Sequence, residues 1–531
     1  MASYLPTTLS SLPHLVPSTL VGRLALVICG LAVFAVLRRR SPSNLKYPPG
    51  PRGLPLIGNL HQLTPDAWFQ FADYKEVYGP IVYLNLAGQN VVVLNTLKVA
   101  ADLLDRRAAI YSSRPKFIVA RTLLTEGLFF VFQGYSDLWR RMRRAAHEAL
   151  HRGVVHDYHP TQTLEATILL KDMLTAPNDW EDHLERMAGS TILAVAYDRE
   201  PLKNVADPSM HTLHNFTKKI VRAGYVDGYV VEFFPWVNAL PASLAPWKRE
   251  AAEWAPRFSK LFSGLYNDVK LRVLDGDTRP SFSASMVEKQ IKYGLSDKET
   301  SWLVATISAA FETMSGTLTW FMLAMVLYPD VQRKAQAELD SIVGRSRLPS
   351  FEDFENLVYI RAIIKETLRW HPVGPLGMQH VSTEDDVYEG YFIPKGTICI
   401  PNIWAINRDP DMWGLDADQY VPERHIGPDG KLAPSHLDTK EEGHVTFGFG
   451  RRICVGRHVA RNSLFISIAY LLWMFNIKPP LGPDGKEIEC TEKGIDLGLV
   501  VRPQYFKHRF EPRFPDAVSV YEAHRELMNV N

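Results

Sequence analysis

Ten residues near the C-terminus constrain this chain more than any other stretch: Phe447-Gly448-Phe449-Gly450-Arg451-Arg452-Ile453-Cys454-Val455-Gly456. One cysteine sits among three glycines, just after two arginines and just ahead of a helix-like run from Arg457 to Met474. Glycines at that density let backbone come close to something large and flat. Amides at the start of the next helix favour an anionic sulfur at Cys454. A thiolate held that way is a good axial ligand for haem iron. A lone intracellular cysteine is more often a small buried apolar residue. The pattern around Cys454, more than the cysteine itself, argues for a metal.

The remaining sequence narrows the setting. The chain has 531 residues, and its 59 basic and 58 acidic side chains leave a net charge of +1, which gives no reason to expect nucleic acid or another polyanion as partner. Cys29, Cys399, Cys454 and Cys490 are too scattered for a disulfide framework, which fits a reducing compartment for the body. Residues 16–37 are mostly apolar and long enough for one membrane-spanning helix, and Arg38, Arg39 and Arg40 follow directly. Positive charge on that side puts the body in the cytosol. A cleavable leader would carry its charge ahead of the apolar run. The run Tyr47-Pro48-Pro49-Gly50-Pro51-Arg52-Gly53-Leu54-Pro55 excludes helix and reads as a stiff connector. The expected organisation is an anchor over 1–40, a hinge over 41–60 and one catalytic unit over 61–531.

Within that unit, Val82 to Leu94 reads as a hairpin around Gly88-Gln89-Asn90. Ser296-Asp297-Lys298-Glu299 is a capping box that predicts a long apolar helix running to Pro329. Ser350 predicts the start of another, ending at His371-Pro372. Short strands are expected at 397–401 and 497–501. The expected fold class is mainly α with small antiparallel β-sheets.

Two further motifs carry chemistry. Glu366 and Arg369 share a helix face, and Pro422-Glu423-Arg424-His425 follows downstream. Ala309-Ala310-Phe311-Glu312-Thr313 places an acid before a threonine inside the long helix. Taken singly, each is an ordinary surface pattern. In this order, ahead of Cys454, the motifs resemble the cytochrome P-450 family, whose haem signature is matched at Phe447, Gly450, Arg452, Cys454 and Gly456. Phe234-Pro235-Trp236 and Tyr388 to Gly396 look most like fungal microsomal members, the group containing O-methylsterigmatocystin oxidoreductase.

The resemblance implies the cytochrome P-450 fold behind one N-terminal transmembrane helix, in the endoplasmic reticulum membrane. It implies haem b with Cys454 as iron ligand, and a buried network of Glu366, Arg369 and Arg424. Arg452, the Trp139/Arg143 pair and His380 would meet the haem carboxylates. Thr313 and Glu312 would manage protons during oxygen activation. Ala310 stands where the family often has glycine, and its methyl group works against a helix bulge there. Phe117, Phe129, Ala309, Val373, Leu376 and Leu497 would line an apolar substrate pocket. NADPH electrons would arrive through a separate reductase, with cytochrome b5 as a second donor. The reaction implied is hydroxylation of an apolar small molecule in fungal secondary metabolism, such as terpenoid tailoring. The alternatives are an oxygen-independent isomerase or dehydratase, and a non-catalytic haem protein that binds a ligand.

Overall fold

The computed structural model describes residue 30 and residues 45–224, 228–308, 310–496 and 500–530. The anchor expected over 16–37 falls outside them except for Gly30, as do Ala309 and Leu497.

Helices dominate. At the centre lies Arg457–Met474, the helix that follows Cys454, where Leu464 to Met474 are all buried. A helix apolar on every side needs partners all round. It finds them in His159–Thr175, Pro329–Ile342 and Val358–Trp370. The second central element spans Asp297–Ser308 and Phe311–Leu327. It is long and apolar enough to cross a membrane, but 78% of its apolar window is buried inside the body, so it is a core helix.

A four-stranded sheet lies to one side, in the order Ile81–Leu86, Gln89–Leu94, Ile398–Pro401, His380–Val381. Its outer pairs are antiparallel and its middle pair is parallel. The hairpin turns at Ala87-Gly88, both at positive φ, one residue before the expected turn.

Several boundaries differ from the sequence expectations. The 296–329 helix comprises Asp297–Ser308 and Phe311–Leu327, with a turn at Ala310 ahead of the second part. Ala310 N–H turns back to the Ile307 carbonyl at 2.8 Å, so the turn forms in spite of the methyl group. Ser350 caps only the short turn Phe351–Asp353, and the Glu366 helix itself begins at Val358. Of the strand expected at 497–501, residues 497–499 lie outside the described residues, and Val501 begins the strand Val501–Pro503, paired with Gly494–Asp496. The proline run is not a free-standing linker. Tyr47 stacks on Tyr83 at 4.9 Å, and Tyr83 N–H donates to the Pro49 carbonyl at 2.8 Å. A Cβ on Gly50 would lie 1.9 Å from the Tyr83 carbonyl oxygen, so only glycine lets this segment lie against the sheet.

The last helix, Ala517–Leu527, packs back on the core. Tyr521 is fully buried and donates to the Thr167 carbonyl at 3.2 Å. Phe514 meets Trp473 edge-on at 5.0 Å, and Arg513 pairs with Asp340 at 2.9 Å.

Candidate active site

The Cys454 loop is built by close backbone contacts. Cys454 N–H donates to the Phe447 carbonyl at 2.8 Å. Gly450 has φ +56°, and a Cβ there would sit 2.1 Å from the Leu104 carbonyl oxygen. Its N–H donates to the Asp105 carboxylate, which Lys440 also approaches at 3.4 Å. Gly456 caps the central helix, and its amide donates to the Cys454 sulfur.

Cys454 is open on one side, yet burial is the largest influence on its thiol. The two observations agree if the sulfur lines a hollow set well inside the body. Burial pushes the thiol up, against the Gly456 amide, Arg143 and Arg457, which pull it down. The Gly456 amide thus acts in the direction expected of a helix N-terminus, and burial acts against it. A cation at the sulfur favours the thiolate further.

The surroundings are strongly cationic. Arg452 donates to the Ser112 carbonyl at 2.8 Å and the Gln133 carbonyl at 2.7 Å, with its guanidinium 4.0 Å above the Trp139 ring. Burial and its arginine neighbours hold it down to about 8. Phe130 stacks on Trp139 from 5.5 Å. The Trp139 indole N–H is buried with no acceptor among the described residues. Arg143 has no hydrogen-bond or ion-pair partner among them either, and burial lowers it to about 10. His380 is buried, with Nδ1 2.7 Å from the Tyr111 carbonyl, so Nδ1 donates and Nε2 is left for another partner.

One residue escaped the sequence reading. Arg114 is buried and donates only to carbonyls, those of Met378 at 2.8 Å and Gln379 at 2.7 Å among them. Burial holds it down to about 9. Its position in Ser112-Ser113-Arg114-Pro115, an arginine fixed before a proline, was the available signal.

Haem b meets these requirements. Its two carboxylates suit the orphaned Trp139 N–H and the unpaired arginines. Its flat macrocycle suits glycines at 448 and 456, where an added Cβ would touch no protein atom.

Glu366 is fully buried and accepts two hydrogen bonds from Arg369, both at 2.7 Å. Arg424 reaches it at 3.1 Å, and the Val421 amide at 2.8 Å. His425 also joins, at 2.9 Å. Burial keeps that imidazole neutral, so it donates Nε2–H. His425, which the sequence reading assigned no role, fills a remaining acceptor site on Glu366. Hydrogen bonds from Arg369 and His425, and the Arg369 charge, hold Glu366 far below the usual carboxylate range against the cost of burial.

Thr313 is the only exposed residue of Phe311–Leu327, so its hydroxyl faces open space within the core. That hydroxyl donates to the Ala310 carbonyl at 2.8 Å, which also accepts from the Met314 N–H at 3.1 Å. Burial raises Glu312 above its ordinary value, with Arg502 opposing.

The six pocket candidates divide. Ala309 and Leu497 lie outside the described residues. Phe129 is core: it is 1% exposed and packs against Phe132, Phe216 and Trp302. Phe117 is buried beside Phe132 at 4.8 Å. These aromatic rings fill space between helices, which apolarity alone did not reveal. Val373 lies against the core helix near Gly316, and Leu376 is half-buried.

A cysteine loop, a cationic hollow and an acid–threonine pair in a core helix define a haem-thiolate oxygenase site. The cytochrome P450 family model matches residues 48–510, and this chain belongs to that family. A cytochrome P450 monooxygenase of Armillaria gallica is 52% identical over 92% of this chain and 94% of its own length. Cytochrome P450 monooxygenase 58 of Postia placenta is 46% identical over 96% and 98%. Cytochrome P450 monooxygenase iboC of Amanita muscaria is 39% identical over 93% and 96%. The chain is a cytochrome P450 monooxygenase.

Proposed function

We propose that this enzyme hydroxylates an apolar small molecule of fungal secondary metabolism, with NADPH electrons delivered by a separate reductase. The Cys454 loop carries this reading. Cys454 would ligate the iron of haem b, while Phe447, Gly450 and Gly456 shape its bed. Arg452, Arg143, Trp139, His380 and Arg114 would hold the haem carboxylates. Bound there, the haem supplies dioxygen activation and delivery of one oxygen atom to carbon.

The chain's own residues handle protons. The Thr313 hydroxyl, aimed by the Ala310 carbonyl, passes a proton at Oγ1. Glu312, whose carboxyl group burial holds above its ordinary value, replaces that proton. Glu366, Arg369, Arg424 and His425 fix the helix and the meander that precede the Cys454 loop. Val373 and Leu376 suit an apolar substrate. Leu240, Leu244 and Trp236 are exposed, the last at 73%, and with an anchor over 16–37 they would rest on lipid at the endoplasmic reticulum, with the body in the cytosol. Cytochrome b5 is a second candidate donor.

Co-expression with a reductase, followed by mass spectrometry of products from terpenes, fatty acids and aromatic hydrocarbons, tests the reaction. Products should gain one oxygen atom. Cys454→Ser should abolish the thiolate-type carbon monoxide band. A retained band would refute the ligand assignment.

A further inference from the structure

Behind Glu312 lies a charged cluster that no step so far has used. His214, on Pro208–Gly224, places Nε2 2.9 Å from a Glu185 carboxylate oxygen, and Glu185 belongs to Trp180–Tyr197. Arg502, on Val501–Pro503, approaches the same oxygen at 3.4 Å and donates to the Ser315 hydroxyl at 3.0 Å. Ser315 stands one turn after Glu312 and donates to the Glu312 carbonyl at 3.3 Å. Glu312 lies within electrostatic range of Glu185, His214 and Arg502. Glu181, one turn before Glu185, faces Arg502 and Glu185 as well.

The charge count matters here. Three carboxylates, Glu181, Glu185 and Glu312, face one guanidinium and one imidazole. Even with His214 charged, one negative charge is left over in a largely desolvated place, so the cluster retains a proton. His214 is 35% exposed and Glu185 18%, which forms a path from solvent inward. Glu312 makes no direct hydrogen bond through its carboxylate to any described residue, which leaves its carboxyl group open to water.

We propose that His214 and Glu185 form a proton reservoir that refills Glu312 during turnover, with Arg502 as the residue that positions it. The inference rests on the proton role given to Glu312 above. The step moves protons only. Glu312 loses its carboxyl proton towards Thr313. His214 imidazolium passes its proton across the 2.9 Å contact to the Glu185 carboxylate, which hands it on through a bridging water to re-form the O–H bond at Glu312. Solvent then reprotonates His214. The pair also accounts for a His214 imidazole held above its ordinary value, chiefly by Glu185.

The test uses holoenzyme with reductase and NADPH, without organic substrate, and measures peroxide released per NADPH oxidised. A starved proton supply diverts oxygen to peroxide. Glu185→Gln and His214→Gln should raise that fraction by about threefold or more, less than loss of a direct proton donor, with the thiolate-type carbon monoxide band kept. In the parent enzyme the fraction should climb with pH, and Glu185→Gln should flatten the climb. Independently, histidine NMR with the His214 signal assigned by its loss in His214→Gln should show its titration falling towards an ordinary histidine value in Glu185→Gln. If Glu312→Gln raises the peroxide fraction while Glu185→Gln does not, the reservoir is overturned and the Glu312 reading stands. If Glu312→Gln changes nothing, the Glu312 reading itself falls. Should His214→Gln lose the carbon monoxide band, Glu185→Gln and its pH profile decide alone.

Discussion

Gly450→Ala separates two reasons for glycine in the Cys454 loop. At φ +56° an alanine costs about 1–2 kcal/mol in left-handed backbone. Its Cβ would also lie 2.1 Å from the Leu104 carbonyl oxygen, a backbone atom on the turn Ala101–Arg106 that cannot swing away. The loop must retreat by roughly an ångström to reach ordinary contact. That retreat breaks the N–H bond to Asp105, a charged hydrogen bond worth about 1.5–3 kcal/mol. Together the loss is about 3–5 kcal/mol, a large part of a stability of about 5–15 kcal/mol. Gly456→Ala is the counterpart. Its φ is −87°, and an added Cβ meets no protein atom within 4 Å. The apoprotein should therefore change by only a few tenths of a kcal/mol, while haem retention falls. Urea unfolding of haem-depleted protein, alongside haem content of the same variants, reads both effects. Gly450→Ala within about 0.5 kcal/mol of the parent would refute the steric argument. A haem-depleted Gly456→Ala protein destabilised as strongly as Gly450→Ala would refute the distinction.

Other outcomes follow from the same geometry. Glu366→Gln leaves the fully buried Arg369 without its counter-charge and should cost about 3–5 kcal/mol by urea unfolding. Because Glu366 is held far below its ordinary value, its contribution is complete above the unfolded carboxylate range and is lost only as pH falls through the depressed folded value. Stability at pH 5 should therefore show no loss from this site, and a Glu366-dependent loss there would contradict the pairing. Arg143→Leu removes no hydrogen bond or ion pair to a described residue, so apoprotein stability should hold within about 0.5 kcal/mol, while haem affinity drops about 10- to 100-fold for one charged hydrogen bond. Equal haem affinity would remove Arg143 from the carboxylate site. Thr313→Ala should uncouple NADPH use from product and release peroxide. Unchanged coupling would remove Thr313 from the mechanism.

Much of the site was legible because its motifs are local. The Cys454 loop, the Glu366–Arg369 spacing and the Glu312–Thr313 pair each span a few residues, and helical periodicity or glycine chemistry explains them directly. What escaped was tertiary. Arg114 shows its importance only once the loop before Phe117 folds against the Gln379 carbonyl. His425 becomes the donor that completes Glu366 only after the 422–425 turn docks on the helix. Phe129 read as pocket lining because side-chain type cannot tell an aromatic that fills the core from one that borders a cavity. The turn at Ala310 formed against a residue preference, since tertiary context outweighs a methyl group's small cost. The proline run read as a spacer because its fit on Tyr83 depends on a sheet formed by later residues.

The closing helix carries a practical consequence for anyone shortening this gene. A cut at residue 510, where the family match stops, would strip Phe514 from Trp473 and Tyr521 from Thr167. Trp473 and the buried surface around Thr167 would then lie bare, and insoluble material should result. Purification handles belong after this strap, with the final turn left whole.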